Sequence, residues 1–257
     1  MNIELTYDSS VQNAPAGFVS ALTDAVDFLD ATFTSPVTIN IDVGWGEIDG
    51  QPLDKNTLGE SQESVAQPFT YSEVRGALLA DANSTNAVAA AVSLPAADPT
   101  GGGTFDTGTA DAKALGLLPA NDAATDGWIG FTSQANTFTF DPNNRAVSGE
   151  YDFIGVALHE ITEVMGRDAD LGDGPYFDSY APLDLFRYAA PGDRDLVQGS
   201  RFSTAYFSVD GGRIDLDNFN TDPSGDLGDW ADSAGNDSFL AFSGPSVVDA
   251  FSSADLA

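Results

Sequence analysis

The sequence predicts an α+β fold: a twisted mixed sheet backed by helices, followed by a loop-rich, Asp-rich C-terminal part. Three observations predict it. The chain opens strand–helix–strand. Its strongest helical pattern, Tyr151–Arg167, comes after a strand-rich N-terminal half. From Asp168 to Asp237 there are fifteen Asp, no Glu and many Gly. No internal repeat and no linker interrupts the 257 residues, so they read as a single domain. Residues 1–167 hold the sheet and helices, and 168–257 form the loop-rich subregion.

Residues Asn2–Tyr7 alternate in polarity and read as a strand. Ala16–Phe33 carries Phe18, Leu22, Val26, Phe28 and Leu29 at helical spacing. Val37–Val43 alternates Val, Ile, Ile, Val with polar residues, a second strand. Leu58–Gln67 is polar and extended, an edge strand. Tyr71–Ala82 and Thr85–Ser93 read as helices, Pro95–Thr104 as a Pro/Gly loop and Ala110–Leu117 as a short helix. Gly127–Thr132 and Thr137–Phe140 read as a hairpin, with Asp141-Pro-Asn-Asn144 as the following turn. After the Tyr151–Arg167 helix come a Gly/Asp loop, Asp168–Tyr180, and a short strand or turn, Leu183–Tyr188. Tyr206–Val209 and Arg213–Leu216 flank Asp210-Gly-Gly212, a hairpin signal.

Forty acids stand against nine bases, a formal net charge of −31. That excludes a nucleic-acid binder, which needs clustered Lys and Arg, and disfavours anionic membrane surfaces. There is no Cys, so disulfides, thiolate zinc sites and thiol nucleophiles are excluded. One His, His159, excludes any site built from two imidazoles. No segment approaches the roughly 20 apolar residues of a membrane span, so no membrane insertion is expected. The N-terminus lacks a basic region followed by an apolar one, so no Sec-type signal is read. An acidic, Cys-free, Lys-poor chain suits a calcium-rich or salty exterior.

The segment that carries chemistry is Gly155-Val-Ala-Leu-His-Glu-Ile-Thr-Glu-Val-Met-Gly-Arg167. On a helix, Ile154, Leu158, Ile161 and Met165 form an apolar stripe. Val156, His159, Glu160, Glu163 and Arg167 lie opposite. His159 and Glu163 are four apart and point the same way, so both can reach one metal ion. Glu160 sits beside the first ligand, placed to take a proton from water. This is the H-E-x-x-H logic of zinc proteases with Glu replacing the second His. Such a ligand set is more anionic and lowers the metal's Lewis acidity. A third ligand must be acidic. The metzincin frame would put it at Ala169, which cannot bind. The candidates are Asp168, Asp170, Asp173, Asp178 and Asp184, and Asp184 is chosen because Leu183, Leu185 and Phe186 would hold it in a packed position. The same residues have a plainer reading. Glu163 precedes Arg167 by four, the favourable order for an ion pair, and His159 beside an acid can simply be a satisfied polar residue.

His159-Glu-Ile-Thr-Glu-Val-Met-Gly-Arg167, preceded by Tyr151-Asp-Phe-Ile-Gly155 and followed by Leu183-Asp-Leu-Phe-Arg-Tyr-Ala-Ala-Pro-Gly192, resembles a family of bacterial zincin-type metalloproteases. Leu5-Thr-Tyr-Asp-Ser-Ser10, Val43-Gly-Trp-Gly-Glu-Ile48, Asp141-Pro-Asn-Asn144, Phe207-Ser-Val-Asp-Gly-Gly212 and Gly225-Asp-Leu-Gly-Asp-Trp-Ala231 fit the same pattern, which covers nearly the whole chain. The resemblance implies a zincin-like fold with 151–167 as active-site helix. It implies a secreted, zinc-dependent peptidase acting on peptide or protein substrates, exported without an N-terminal signal through a C-terminal one. His159 and Glu163 would bind the metal and Glu160 would be the general base.

The alternative function is a non-catalytic, calcium-binding extracellular structural or adhesion protein on a zincin-derived fold. It rests on the carboxylate-rich ligands and the Asp-dense C-terminal third. Asp168-Ala-Asp-Leu-Gly-Asp-Gly174 resembles the start of a calcium loop, but its glycine comes late and no Glu closes it, so the EF-hand frame fails. Leu58–Gln67 offers an edge for an extended peptide. Tyr176, Tyr180 and Tyr188 are candidate oxyanion donors.

Overall fold

The computed structural model describes residues 1–171, 179–196 and 203–257. Its centre is a four-stranded sheet of β1 (Asn2–Tyr7), β2 (Thr38–Trp45), β3 (Gly59–Glu63) and β4 (Gly127–Phe131), in spatial order β1-β2-β4-β3. β1 and β4 run parallel to β2, with Ile3 opposite Ile39 and Val43 opposite Ile129. β3 is antiparallel to β4 and forms the edge, with Ser61 opposite Ile129.

The helices are α1 (Phe18–Thr32), α2 (Tyr71–Asp81), α3 (Thr85–Ser93), α4 (Thr109–Ala114) and α5 (Phe153–Val164). The helical spacing in α1 puts Phe18, Leu22 and Leu29 fully inside. They pack with Ile39, Ile41, Ile129, Phe131, Phe153, Leu158 and Ile161 as one core. A second core gathers Phe69, Val74, Phe105, Leu185, Phe207, Phe219, Trp230 and Phe239. Chain beyond α5 supplies much of it, so the Asp-rich third is loop-rich but packed around its own aromatics. Small strands brace this part. Residues 187–190 pair with 193–194 and 206–207, and 206–207 pair with 217–218. No helix among the described residues is long and apolar enough to cross a membrane.

Two local expectations change and a third is refined. Gly127–Thr132 and Thr137–Phe140 do not form a hairpin. Both edges of β4 are taken by β2 and β3, so Phe138–Thr139 pairs in parallel with Tyr151–Asp152. Phe140 packs against the Phe153 ring at 4.9 Å. The hairpin around Asp210-Gly-Gly212 exists with its strands moved outward, Tyr206 opposite Asn218 and Phe207 opposite Asp217. Asp210 accepts backbone hydrogen bonds from Arg213 and Ile214, which consumes the inner residues in the turn. Leu183–Tyr188 divides into a 3₁₀ turn, Pro182–Phe186, and the start of a strand, Arg187–Ala190.

α5 begins two residues later than the periodicity suggests, because Tyr151 and Asp152 are extended. Its end is set by Gly166 at φ +109°, a conformation L side chains rarely adopt. Gly166 N donates to the Glu163 carbonyl at 2.9 Å and Arg167 N to the Thr162 carbonyl at 3.0 Å, closing the last turn. A Cβ at Gly166 would stand 2.7 Å from Asp111 Cβ. Gly166→Ala therefore combines strain with a clash. It is expected to lose about 1–3 kcal/mol of stability, read as a lower urea midpoint at unchanged slope.

Candidate metal centre

α5 is buried almost all round. Ile154, Leu158 and Ile161 face the first core as the apolar stripe predicts. The opposite face is covered as well, so Val156 and Glu160 are 4% and 5% exposed. β3 covers Glu160, Val156 joins the first core, and the C-terminal part reaches His159 through Ser238 and Asp229. Burial of an acid-bearing face is costly unless the charges are partnered, and here they partner one another.

His159 Nδ1 lies 2.9 Å from the Ser238 carbonyl oxygen. A carbonyl only accepts, so Nδ1 donates and the ring presents Nε2 to the cleft. Nε2 stands 3.1 Å from Glu163 Oε1 and 3.6 Å from Asp229 Oδ1. The three ligand atoms offered by His159, Glu163 and Asp229 lie within 4.8 Å of one another, a spacing one ion can span. A buried His159/Glu163/Asp229 group could therefore hold a metal ion. Neutral imidazole nitrogen with two carboxylate oxygens suits zinc and other borderline divalent ions.

Each ligand is itself held. The Ser61 hydroxyl on β3 donates to Glu163 Oε2 at 2.7 Å. Arg167 Nη2 lies 3.2 Å from Glu163 Oε1, and Nη1 binds Asp229 Oδ1. The guanidinium also lies over the Phe239 ring, 4.3 Å from its centroid. The ion-pair reading of Glu163 and Arg167 and the convergence of Glu163 on His159 thus hold together. Arg167 grips the same two oxygens that face the imidazole.

Glu160 projects against β3. A Cβ at Gly59 would stand 2.4 Å from Glu160 Oε1, so glycine at that strand position makes room for the carboxylate. Gly59, Glu60, His159, Glu160, Asp226 and Phe242 contribute to the walls of a cleft of about 720 Å³. The edge strand and the acid-bearing helix face therefore open on the same space.

Burial disfavours imidazolium, yet Asp229 and Glu163 outweigh it and raise His159 to about 10. Glu163 falls to about 2 despite burial, because His159, Arg167 and the Ser61 hydroxyl favour its charged form. Glu160 is pushed well above the ordinary carboxylate range by burial and by the charge of Glu163.

Asp184, the third ligand expected from the sequence, is not in this group. Its side chain is fully buried, as expected, but Oδ2 accepts backbone hydrogen bonds from Asp170, Leu171 and Ala181 at 3.1, 2.8 and 3.0 Å. It braces the loop after α5. Packing supplied amide donors to Asp184 rather than a line to the cleft. Asp168 lines the cleft and Asp170 does not, and neither joins the converging ligands. Asp173, Asp178 and Tyr176 lie outside the described residues, as does the end of the Asp168–Gly174 loop. Tyr180 donates to the Leu196 carbonyl and Tyr188 is 1% exposed, so neither lines the cleft as an oxyanion donor would. Asp229 was missed because it follows Glu163 by 66 positions. Its only sequence signal was the segment Gly225-Asp-Leu-Gly-Asp-Trp-Ala231.

Comparison with protein-family models, curated proteins and solved structures gives no match to this chain.

Metal binding at this group must displace the His159 proton. With its pKa at about 10, zinc affinity is expected to fall about tenfold per pH unit from pH 9 to pH 6, measured by competition with a chromophoric chelator. Asp229→Ala is expected to weaken zinc at neutral pH by about 100-fold or more, whereas Asp184→Asn changes it little while lowering the melting temperature.

Proposed function

We propose that the chain is a secreted, zinc-dependent peptidase of zincin type. His159, Glu163 and Asp229 are its metal ligands and Glu160 its general base. The observation that carries this reading is the convergence of His159 Nε2 with carboxylate oxygens of Glu163 and Asp229, with the Glu160 carboxylate on the wall of the same cleft. The helix motif and its resemblance to zincin-type metalloproteases point the same way, and secretion rests on that resemblance. Asp229 replaces Asp184 as the third ligand.

A divalent ion held by these three residues supplies Lewis acidity toward a scissile carbonyl and makes water a better nucleophile. The remaining work belongs to the chain's own groups. Burial and Glu163 favour the protonated form of Glu160 when no ion is bound, and the added positive charge of a bound ion would favour its carboxylate. As the carboxylate, Glu160 takes the proton from the attacking water and returns it to the leaving amine. Its burial against Gly59 keeps the carboxylate out of bulk water and poised at the cleft wall. Ser61 and Arg167 fix the orientation of Glu163, and Ser238 fixes the ring of His159.

Substrate placement follows from the sheet. β3 lies at the edge of the central sheet, paired on one side with β4, and its residues 59–61 line the cleft. An extended peptide adds to such an edge through main-chain hydrogen bonds and needs no particular sequence to do so. The scissile bond would then lie along β3, beside the residues of α5.

Casein cleavage by the purified protein with added zinc is expected to stop on chelation. Glu160→Gln is expected to lower the rate by about 10²–10⁴-fold while zinc affinity stays within a few-fold of the parent. Cleavage that survives chelator, or that Glu160→Gln leaves untouched, removes the peptidase reading.

A further inference from the structure

The cleft that holds the metal group is acidic well beyond what that group needs. Besides Glu160, Glu163 and Asp229, its walls carry Asp54, Glu60, Glu63, Asp168 and Asp226, and among the described residues His159 is the one base that lines it. Arg167 stands behind the ligands, committed to Glu163 and Asp229. Lys55 is exposed beside Asp54 and lies off the wall. A divalent ion would offset Glu163 and Asp229 alone. The rest of the wall keeps its negative field, in a chain whose formal net charge is −31. Such a cleft concentrates cations and repels acidic segments.

Two neighbouring residues give that field a place to seat one side chain. Asp226 is exposed, and its carboxylate has no hydrogen-bond or ion-pair partner among the described residues. Its carbonyl accepts from Asn220 Nδ2 at 3.1 Å, and the same nitrogen donates to the Asp222 carbonyl at 3.0 Å. The loop is therefore braced while the acid it carries is left open. Partial desolvation, then the charges of Glu163 and Asp229, raise Asp226 to about 6, so it is anionic at neutral pH and favoured further by a cation beside it. Phe242 lies against this loop. A Cβ at Gly225 would stand 2.9 Å from Phe242 Cζ, so glycine there lets the tip of the ring approach the backbone just before Asp226. The ring is 46% exposed and lines the same cleft.

An extended peptide on β3 is held by its main chain, which leaves its side chains to be sorted by this wall. Lys and Arg match both features. Their apolar stems cover an aromatic face while the charged head reaches an acid, and a cation over the ring adds its own attraction. A neutral apolar side chain would use Phe242 but desolvate Asp226 without a partner. An acidic one would meet Asp226 and Asp168 with like charge.

We propose that the cleft selects basic peptides, seating a Lys or Arg side chain on the wall formed by Asp226 and Phe242. The proposal names the substrate class of the peptidase reading and rests on it. Asp226 and Phe242 are its specificity-determining residues.

The test reads binding apart from cleavage. Two fluorescein-labelled peptides share one Ala/Ser frame and carry either Lys or Glu at the same positions. Each is titrated by fluorescence anisotropy against zinc-loaded Glu160→Gln at about 150 mM NaCl, where screening beyond roughly 8 Å leaves mainly the cleft's own charges. The second-site variants are Asp226→Asn, Phe242→Ala and, as control for overall charge, Asp27→Asn on the exposed face of α1, each checked for folding by circular dichroism. The Lys peptide is expected to bind about tenfold tighter than the Glu peptide. Asp226→Asn and Phe242→Ala are each expected to cut that preference by about threefold or more, whereas Asp27→Asn leaves it unchanged. The zinc-loaded parent is expected to cleave the two peptides in the same order. Equal affinity for the two peptides, or a preference that the folded Asp226 and Phe242 variants retain, overturns the proposal. A preference lost in those variants, with neither peptide cleaved by the parent, upholds the seat and removes the peptidase reading instead.

Discussion

The structure turns on the imidazole of His159, held by a carbonyl on one nitrogen and faced by two carboxylates on the other. That arrangement joins two cores. The helix belongs to the first, while Ser238 and Asp229 come from chain that builds the second. It also sets a charge balance. Glu163 and Asp229 are two negative charges in a largely buried space, and imidazolium with the Arg167 guanidinium makes two positive ones. Removing one member of such a set leaves an uncompensated buried charge, which costs far more than the intact set contributes. This is why Arg167 belongs to the description of the centre although it is no ligand, and why its ion pair with Glu163 does not compete with convergence on His159.

Much of the fold could be read from the sequence because the central elements obey simple periods. Alternation in Asn2–Tyr7 and Val37–Val43 found β1 and β2, and the 3.6-residue spacing of Phe18, Leu22, Val26 and Leu29 found α1. The polar, extended stretch after Leu58 contains β3, and its edge position is where such a strand belongs. The period failed where neighbours decide. Nothing local in Gly127–Phe131 says that both its edges are already occupied, so the adjacent Thr137–Phe140 read as its hairpin partner. α5 reads as two-faced from its sequence, yet it is mostly buried, because its second cover is tertiary: β3 lies on Glu160 and Glu163, and residues 229 and 238 reach His159.

The centre was legible to the same extent. His159, Glu160 and Glu163 are fixed by helical spacing, a local rule. Asp229 is placed by tertiary packing of a loop-rich segment, and no spacing rule reaches across 66 positions. Apolar flanks mark Asp184 as a packed acid, and it is fully buried. Flanking residues do not disclose the backbone amides of Asp170, Leu171 and Ala181 that surround its carboxylate. A loop turning sharply around residues 169–171 exposes donors, and a buried acid satisfies donors before anything else.

The scarcity of bases explains how the acids divide. Of nine Lys and Arg, four are committed to largely buried acids: Lys113 to Asp126 at 2.6 Å, Arg145 to Asp152 at 2.6 Å, Arg167 to Glu163 and Asp229, and Arg187 to Asp195 at 3.4 Å. Each is paired with an acid elsewhere in the chain, so these four act as cross-links rather than as surface charge. Surface acids need no such partner, since water and salt screen them. Buried acids do. Where a base is present, as at Glu163, the carboxylate is pulled down to about 2. Where burial is joined by acidic neighbours, as at Glu63, it rises to about 9. The same side-chain chemistry thus spans both extremes within one small protein, and what sets the difference is whether a positive charge, at Glu163 first His159 and then Arg167, has been placed within reach.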